Sequence, residues 1–442
     1  MSTHPESDVD TGGSGPLRIL MVSARFAPFV GGTEIHTGQV SAELVRRGHE
    51  VTVLTTDLAG NLPPQEWIDG VKVVRVRAYP RRSDLYLAPN LRKLINDDRW
   101  DLVHVQGYHT AVAPLALWAA RRRGHATMVT FHSGGHSSRL RNLIRPIQVR
   151  LLKPHLLAAK ALIGVSRFEA DLFAERIGVD RDRIEIIPNG VDRPKSTVQT
   201  AAEDASPPDT TPPDATAHDV DSGIDSDVDS DADRPSDLDT AGFSPDDRVI
   251  LSAGRLVRYK GHHRVIQAMP RILEVEPRTR LLILGEGPYE SALRKRVDRL
   301  GIADRVTFDS VPADERHRLE AMFRAASAAV VLSDYESHGM VAHEALDAGL
   351  PLVVLNRSAL GELAASGAAR AVPPRATALE VAQIVLRCLQ EESAPARNAT
   401  ARSTPTGGVT WNDITDQVEA LYRRVVDAET TNREVDSRPH VA

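Results

Sequence analysis

Short apolar runs recur along the chain, and after each one a glycine, proline or polar turn precedes a stretch with helical spacing. Residues 18–23 (RILMVS), 51–54 (VTVL), 71–76 (VKVVRV), 102–105 (LVHV), 126–131 (ATMVTF), 161–165 (ALIGV) and 184–187 (IEII) read as buried strands. Runs this short, bounded by turn residues and rich in Val and Ile, fit strands better than helices. A second set follows at 249–252 (VILS), 281–284 (LLIL), 306–308 (VTF), 328–332 (AAVVL) and 352–355 (LVVL). Helical spacing appears at 35–47, 115–123 and 377–389, and at 411–426 it puts Ile414, Val418, Leu421 and Val425 on one face. Strands alternating with helices predict an α/β protein with largely parallel sheets covered on both faces. At 442 residues the chain is too long for one ordinary core, so two Rossmann-like domains are expected.

Polar stretches mark the boundaries. Residues 195–242 hold 13 acidic and 2 basic side chains, a net of −11, and almost no large apolar residue. Such a segment cannot bury enough surface to order itself, so it reads as an acidic disordered linker or insertion. Its Asp-x-Asp strings, such as Asp225-Ser226-Asp227, reflect composition and do not end a strand, so they make no case for a metal. The expected plan is a disordered tail at 1–16, a first domain at 17–194 and a second at 243–410. A final helix at 411–427 and a second disordered tail at 428–442 complete it.

The chain charge of −6 becomes −6 + 11 = +5 without the linker. That balance suits an anionic substrate and is too small to argue for nucleic acid. No zinc-finger spacing or RNA-binding aromatic pattern occurs. No apolar run approaches the ~18 residues of a membrane span, and the polar N-terminus is not a signal peptide, so a cytoplasmic protein is expected. The lone Cys388 excludes an intramolecular disulfide and any multi-cysteine metal site, and it reads as a packing residue. Between residues 138 and 153, Leu140, Leu143, Ile144, Ile147 and Leu151 repeat at helical spacing, while Arg139, Arg141, Arg145, Arg150 and Lys153 fill other positions. Pro146 is expected to kink or break this helix. Its basic face is either a solvated surface or a patch for an anionic membrane or acceptor.

Candidate chemistry gathers where strands end. After 328–332 come Glu336, then Gly339 for a sharp turn, then a helix whose first amides, those of Met340 and Val341, face out of the strand's carboxyl end. Unpaired N–H groups there attract an anion. Glu344 follows four residues into the helix, roughly 6 Å along its axis. A carboxylate beside an anion site points to a ligand with both phosphate and hydroxyls. Gly31 and Gly32 follow the first strand, where adjacent glycines let backbone approach a phosphate. The run is not G-x-G-x-x-G, so a dinucleotide fingerprint is absent. Arg255 and Lys260, flanked by Gly254 and Gly261, suit a diphosphate, the Arg as a fork of donors and the Lys as a compact charge. His132 ends the strand at 126–131, Ser166 is a candidate N-cap, Asn189 lies in the turn P-N-G-V-D, and Gly285 opens a further glycine turn.

Taken together, GGTE after the first strand, T-F-H at His132, PNGVD, G-R-L-x-x-x-K-G at Arg255 and Lys260, and E-S-x-G-M-V-x-x-E-A-L-x-A-G-L-P resemble the retaining glycosyltransferases of family four. The resemblance implies a GT-B fold: two Rossmann-like domains facing a cleft, with a C-terminal helix around Trp411 and Tyr422 crossing back onto the first. It implies transfer of a sugar from a nucleotide-diphosphate sugar to a hydroxyl acceptor, a glycan, lipid or lipid-linked sugar, without a metal or other cofactor. By the same resemblance, Arg255, Lys260, Gly31, Gly32 and the amides of Met340 and Val341 hold the donor diphosphate. Glu336 grips sugar hydroxyls, Glu344 the ribose, and His132 contacts the sugar near its anomeric carbon. Asp309 and Ser310 stand where many family members have an apolar residue and Gly, which leaves the base contacts open. A GT-B sugar-nucleotide epimerase and a catalytically silent nucleotide-sugar binding protein remain as alternatives.

Overall fold

The computed structural model describes residues 15–29, 31–80, 86–97, 99–108, 110–132, 139–191, 243–244, 246–312, 315–392 and 409–436. The linker expected at 195–242, nearly all of the tail at 1–16 and residues 437–442 lie outside them.

Two sheets form the frame. The first contains β1 (Arg18–Ser23), β2 (Glu50–Asp57), β3 (Gln65–Ile68), β4 (Val71–Arg77), β5 (Leu102–Gln106), β6 (Ala126–Phe131), β7 (Ala161–Gly164) and β8 (Ile184–Ile186). Their order is β3-β4-β2-β1-β5-β6-β7-β8. The second contains β9 (Arg248–Ala253), β10 (Thr279–Leu284), β11 (Val306–Asp309), β12 (Ala328–Val331), β13 (Leu352–Leu355) and β14 (Arg370–Val372), in the order β11-β10-β9-β12-β13-β14. All neighbouring strands are parallel except β3, which runs antiparallel to β4. The Q-E-W-I of β3 lacks a buried run, with Trp67 exposed; it is an edge strand that hydrophobic pattern alone does not mark.

Helices α1 (Gly32–Arg46), α2 (Leu91–Asp97), α3 (Val112–Arg122), α4 (Arg139–Ala158) and α5 (Arg167–Ile177) belong to the first unit. Helices α6 (His262–Leu273), α7 (Glu290–Leu300), α8 (Arg316–Ala325), α9 (Met340–Asp347), α10 (Ala359–Ala365) and α11 (Ala378–Glu392) belong to the second. Strand alternation divides each core into two layers. Leu20 and Val22 of β1 face the side holding Val103, Phe131 and Phe173, while Ile19 and Met21 face Val40 and Met128. Cys388 is buried in a layer of the second unit.

The last helix, α12 (Trp411–Asp436), returns to the first sheet. Trp411, Ile414, Val418, Leu421, Tyr422 and Val425 join the layer of Ile19, Met21 and Met128. Charged contacts rim that seam: Arg47 bonds Asp416 at 2.6 Å and Glu419 at 3.2 Å, and Arg424 bonds Glu185 at 2.8 Å. The helix runs past its expected end at residue 427, and the part of the expected tail from 428 to 436 is helical. No glycine or proline interrupts that stretch, and Lys160 pairs with Glu429 beside the sheet.

Helix α4 differs from its reading in two ways. It continues through Pro146 without a break, and Leu151, expected on the apolar face, is 74% exposed. The buried stripe is Val149, Leu152 and Leu156, spaced three and four residues apart; its packing on the sheet side offsets the hydrogen bond that proline removes. Among the described residues, no helix is long and apolar enough to cross a membrane.

Candidate active site

Both sheets turn their strand carboxyl ends toward one cleft. In each, the strand order reverses about a central strand, β1 beside β5 and β9 beside β12, and open α/β sheets bind ligands at such switch points. On the second unit, the loops after β9, β10 and β12 pack backbone to backbone. Leu256 N donates to Glu286 O at 2.8 Å, Tyr289 N to Leu256 O at 2.9 Å, and Asp334 N to Tyr259 O at 2.7 Å. Gly261 has φ +81°, and a Cβ there would lie 1.9 Å from Leu332 O; at Gly285, φ +135°, it would lie 2.3 Å from Gly254 O. Only glycine permits this approach.

That packing brings together residues distant in sequence. Lys260 Nζ bonds Glu336 Oε1 at 2.6 Å, with both side chains largely buried. Arg255 donates to the Tyr259 hydroxyl at 2.8 Å and stays exposed. Glu336 N donates to Ser358 Oγ at 2.9 Å and Glu336 O accepts from Ala359 N, which fixes the turn before α9. Gly339, φ +86°, caps α9. The amides of Ala342 and His343 return to Gly339 O, whereas those of Met340 and Val341 have no acceptor among the described residues. They are the open donors of a helix N-terminus. Glu344 lies one turn further along α9, partly buried.

The first unit supplies the facing wall. Gly31, in extended conformation, precedes α1, and a Cβ on Gly32 would lie 3.3 Å from Met340 Sδ, so the glycine pair meets the start of α9. His132, buried at the end of β6, bonds Gln106 Oε1 through Nε2 at 2.9 Å and packs edge-to-face on His36 at 4.9 Å. Ser166 caps α5, accepting from Glu169 N at 3.1 Å. The same helix end receives Glu362 of the second unit, whose Oε1 accepts from Phe168 N at 2.6 Å. Asn189 is buried beside the His36 side chain. Gly190 lies against Trp411, where a Cβ would stand 2.7 Å from the indole.

Sequence reasoning did not single out Glu34, His36, Gln106, His338 or Glu362. Burial raises the Glu34 carboxyl above its ordinary value, against its own backbone hydrogen bond and the charges of Arg25 and Arg255. Burial lowers His36 to about 4, opposed by Asn189. His338 falls to about 3, first through burial and then through His343, while bonds to the backbone of Val165 and Asn189 oppose the fall. These imidazoles are neutral at pH 7. A signal for Glu34 and His36 existed in their positions in the first two turns of the helix after Gly31-Gly32. His338 and Glu362 had none, since their partners lie in the other unit. Among the described residues, no group of three or more His, Cys, Asp or Glu side chains is placed to hold a metal ion.

Two parallel α/β units facing a cleft, with a C-terminal helix crossing back, define the GT-B class. Two family models match consecutive parts of the chain, "Glycosyltransferase Family 4" over residues 30–194 and "Glycosyl transferases group 1" over residues 233–404. The chain belongs to the group 1 glycosyltransferases. It is similar to the glycogen synthase of Mycobacterium tuberculosis, 27% identical over 92% of this chain and 94% of that one. The fold is similar to sucrose-phosphate synthase from Thermosynechococcus elongatus (TM-score 0.69, 20% identity, 93% and 100% covered). It is also similar to HepE of Anabaena in complex with UDP and glucose (TM-score 0.65, 17% identity, 92% and 99% covered).

Proposed function

We propose that this protein transfers a sugar from a nucleotide-diphosphate sugar to a hydroxyl of a glycan, lipid or lipid-linked acceptor, with retention of configuration and without a metal ion. One observation carries the reading: Arg255, Lys260, Glu336 and the open amides of Met340 and Val341 converge on one cleft rim beside Gly32. Two cations and a helix N-terminus form a preorganised field for a departing diphosphate, the role a divalent ion otherwise fills. Gly31 and Gly32 leave room for the phosphates. Glu336 accepts from hydroxyls of the sugar, Glu344 from those of the ribose, and His132 lies against the sugar near its anomeric carbon. In the proposed step, the bond from the anomeric carbon to the diphosphate oxygen breaks while the acceptor oxygen bonds on the same face. The acceptor proton passes to the departing phosphate oxygen, so no enzyme nucleophile is required. That the HepE structure contains UDP and glucose supports a nucleotide-sugar donor here. The acceptor binds the first unit, and α4, with Arg150 and Leu151 exposed, is the proposed contact with an anionic membrane on the cytoplasmic side.

The test is thermal stabilisation by UDP-, GDP-, ADP- and dTDP-sugars, with and without magnesium, on the wild type and on Arg255→Ala. A donor at ~100 times its dissociation constant adds ~2.7 kcal/mol. Stabilisation of the wild type alone by one nucleotide sugar, independent of magnesium, is expected. Silence across the panel, or a strict need for magnesium, would overturn the reading.

A further inference from the structure

A row of polar side chains crosses one face of the first sheet, and it ends at His132. His104 and Gln106 alternate on β5, Thr130 and His132 alternate from β6, and all four are buried. They face the layer containing Met21 of β1 and the crossing helix α12. Tyr422 of α12 places its hydroxyl 2.6 Å from His104 Nδ1, and His104 Nε2 lies 2.7 Å from Thr130 Oγ1. The amide nitrogen of Gln106 lies 3.5 Å from Met21 Sδ and 3.4 and 3.5 Å from the two ring nitrogens of His104. Its oxygen lies 2.9 Å from His132 Nε2. Buried polar atoms hold such positions only when donors and acceptors match.

Matching them sets the direction of the Gln106–His132 contact. Thioether sulfur has no proton to give, so the end of Gln106 that faces Met21 must be the donor NH2. Its carbonyl therefore faces His132 and can only accept, so His132 must carry its proton on Nε2. We propose that Gln106 is a positioning residue that fixes His132 as the Nε2–H tautomer, and that His104 and Tyr422 hold Gln106 in this orientation. Nδ1 is then the acceptor nitrogen of the ring. The consequence for transfer rests on the functional reading above, in which His132 meets the donor sugar: an Nδ1 acceptor receives a hydrogen bond from a sugar hydroxyl, whereas an Nδ1–H would present a donor. The polar row also makes the crossing helix a support of the site. Its tyrosine reaches the catalytic wall through two side chains of one strand.

The tautomer is measured without substrate, by long-range 1H–15N correlation on full-length protein labelled with 15N-histidine, with His132 assigned by loss of its signals in His132→Asn. The expected pattern at pH 7 is a pyrrole-type Nε2 and a pyridine-type Nδ1 for His132. In Gln106→Leu that pattern gives way to a mixture of tautomers. In Gln106→Glu the carboxylate favours the imidazolium, and both nitrogens become pyrrole-type. Tyr422→Phe shifts the His104 signals and weakens the His132 preference. An Nδ1–H tautomer in the wild type, or an unchanged His132 pattern in Gln106→Leu, would overturn the proposal. If Gln106→Leu does not fold, the wild-type spectrum and Gln106→Glu decide the question. Failure of the donor reading would appear separately, as silence in the nucleotide-sugar panel with the His132 tautomer intact.

Discussion

Lys260 Nζ and Glu336 Oε1 lie 2.6 Å apart, though 76 residues separate them in the chain. One comes from the loop after β9 and the other from the turn before α9, so their pairing measures how closely those loops are packed. It also sets an electrostatic choice. In the function proposed above, a donor phosphate competes with Glu336 for the ammonium group, and a sugar hydroxyl takes the place of Lys260 on the carboxylate.

Glu336→Gln tests that relationship. The amide keeps the shape and removes the charge, so the fold persists while transfer falls by about 10²–10³-fold, the scale of losing one preorganised polar contact in a closed site. Steady-state transfer assays beside circular dichroism check it. Full activity in the variant would remove Glu336 from the mechanism.

Gly261 is a purely structural test of the same rim. Its φ of +81° and the 1.9 Å that would separate an added Cβ from Leu332 O leave no room for alanine. Gly261→Ala should cost about 1–2 kcal/mol for the backbone region, with overpacking adding about 1–3 kcal/mol. Urea unfolding followed by far-ultraviolet circular dichroism reads the loss, since all four tryptophans, Trp67, Trp100, Trp118 and Trp411, lie outside the second unit. A near-neutral result would mean that the loops after β9 and β12 are not in backbone contact.

Acid should weaken the fold in two stages. His36, His104 and His338 are held neutral by burial, with values lowered from 6.5 to about 4, 3 and 3. Between pH 6.5 and those values the unfolded chain binds more protons than the native one, so stability falls as pH falls. Below the ordinary carboxylate value of 4.5, Glu419 adds to the loss. Burial pushes it up, but hydrogen bonds from Arg423, Arg47 and His49 outweigh this and bring it to about 2. Melting temperatures should be flat above pH 6.5, fall from there to pH 4.5, and fall more steeply toward pH 2. A melting temperature that rises from pH 6.5 to 5 would contradict the burial of these histidines.

Membrane contact through α4 is tested by sedimentation with phosphatidylserine-containing vesicles. Changing Arg141, Arg145 and Arg150 together to Ala should weaken binding on the order of 100-fold, at about 1 kcal/mol per cation. Equal sedimentation of variant and wild type would assign the basic segment to the solvated surface.

All strands except β3 and β14, the parallel α/β class and the placing of Arg255, Lys260, His132 and Glu336 after strand ends were legible in the sequence. Burial on both faces imposes continuous apolar runs, and glycine is required wherever loops approach closely. The seam of α12 was legible for the same reason, since Ile414, Val418, Leu421 and Val425 repeat at the helical period. Helix α4 shows where period alone fails. Leu151 and Leu152 are equally apolar, and only the position of the sheet beneath buried the second and exposed the first. Tertiary structure alone decided the pairs: Lys260 with Glu336, Glu362 on the end of α5, His338 on the backbone of Val165 and Asn189, and Tyr422 on His104. Each joins residues from different elements, and local spacing carries no information about which loops a fold brings together. The polar row from Tyr422 to His132 is the clearest case. In sequence, His104 and Gln106 are two polar interruptions of an apolar strand, and the crossing helix turns them into a hydrogen-bonded support for the site.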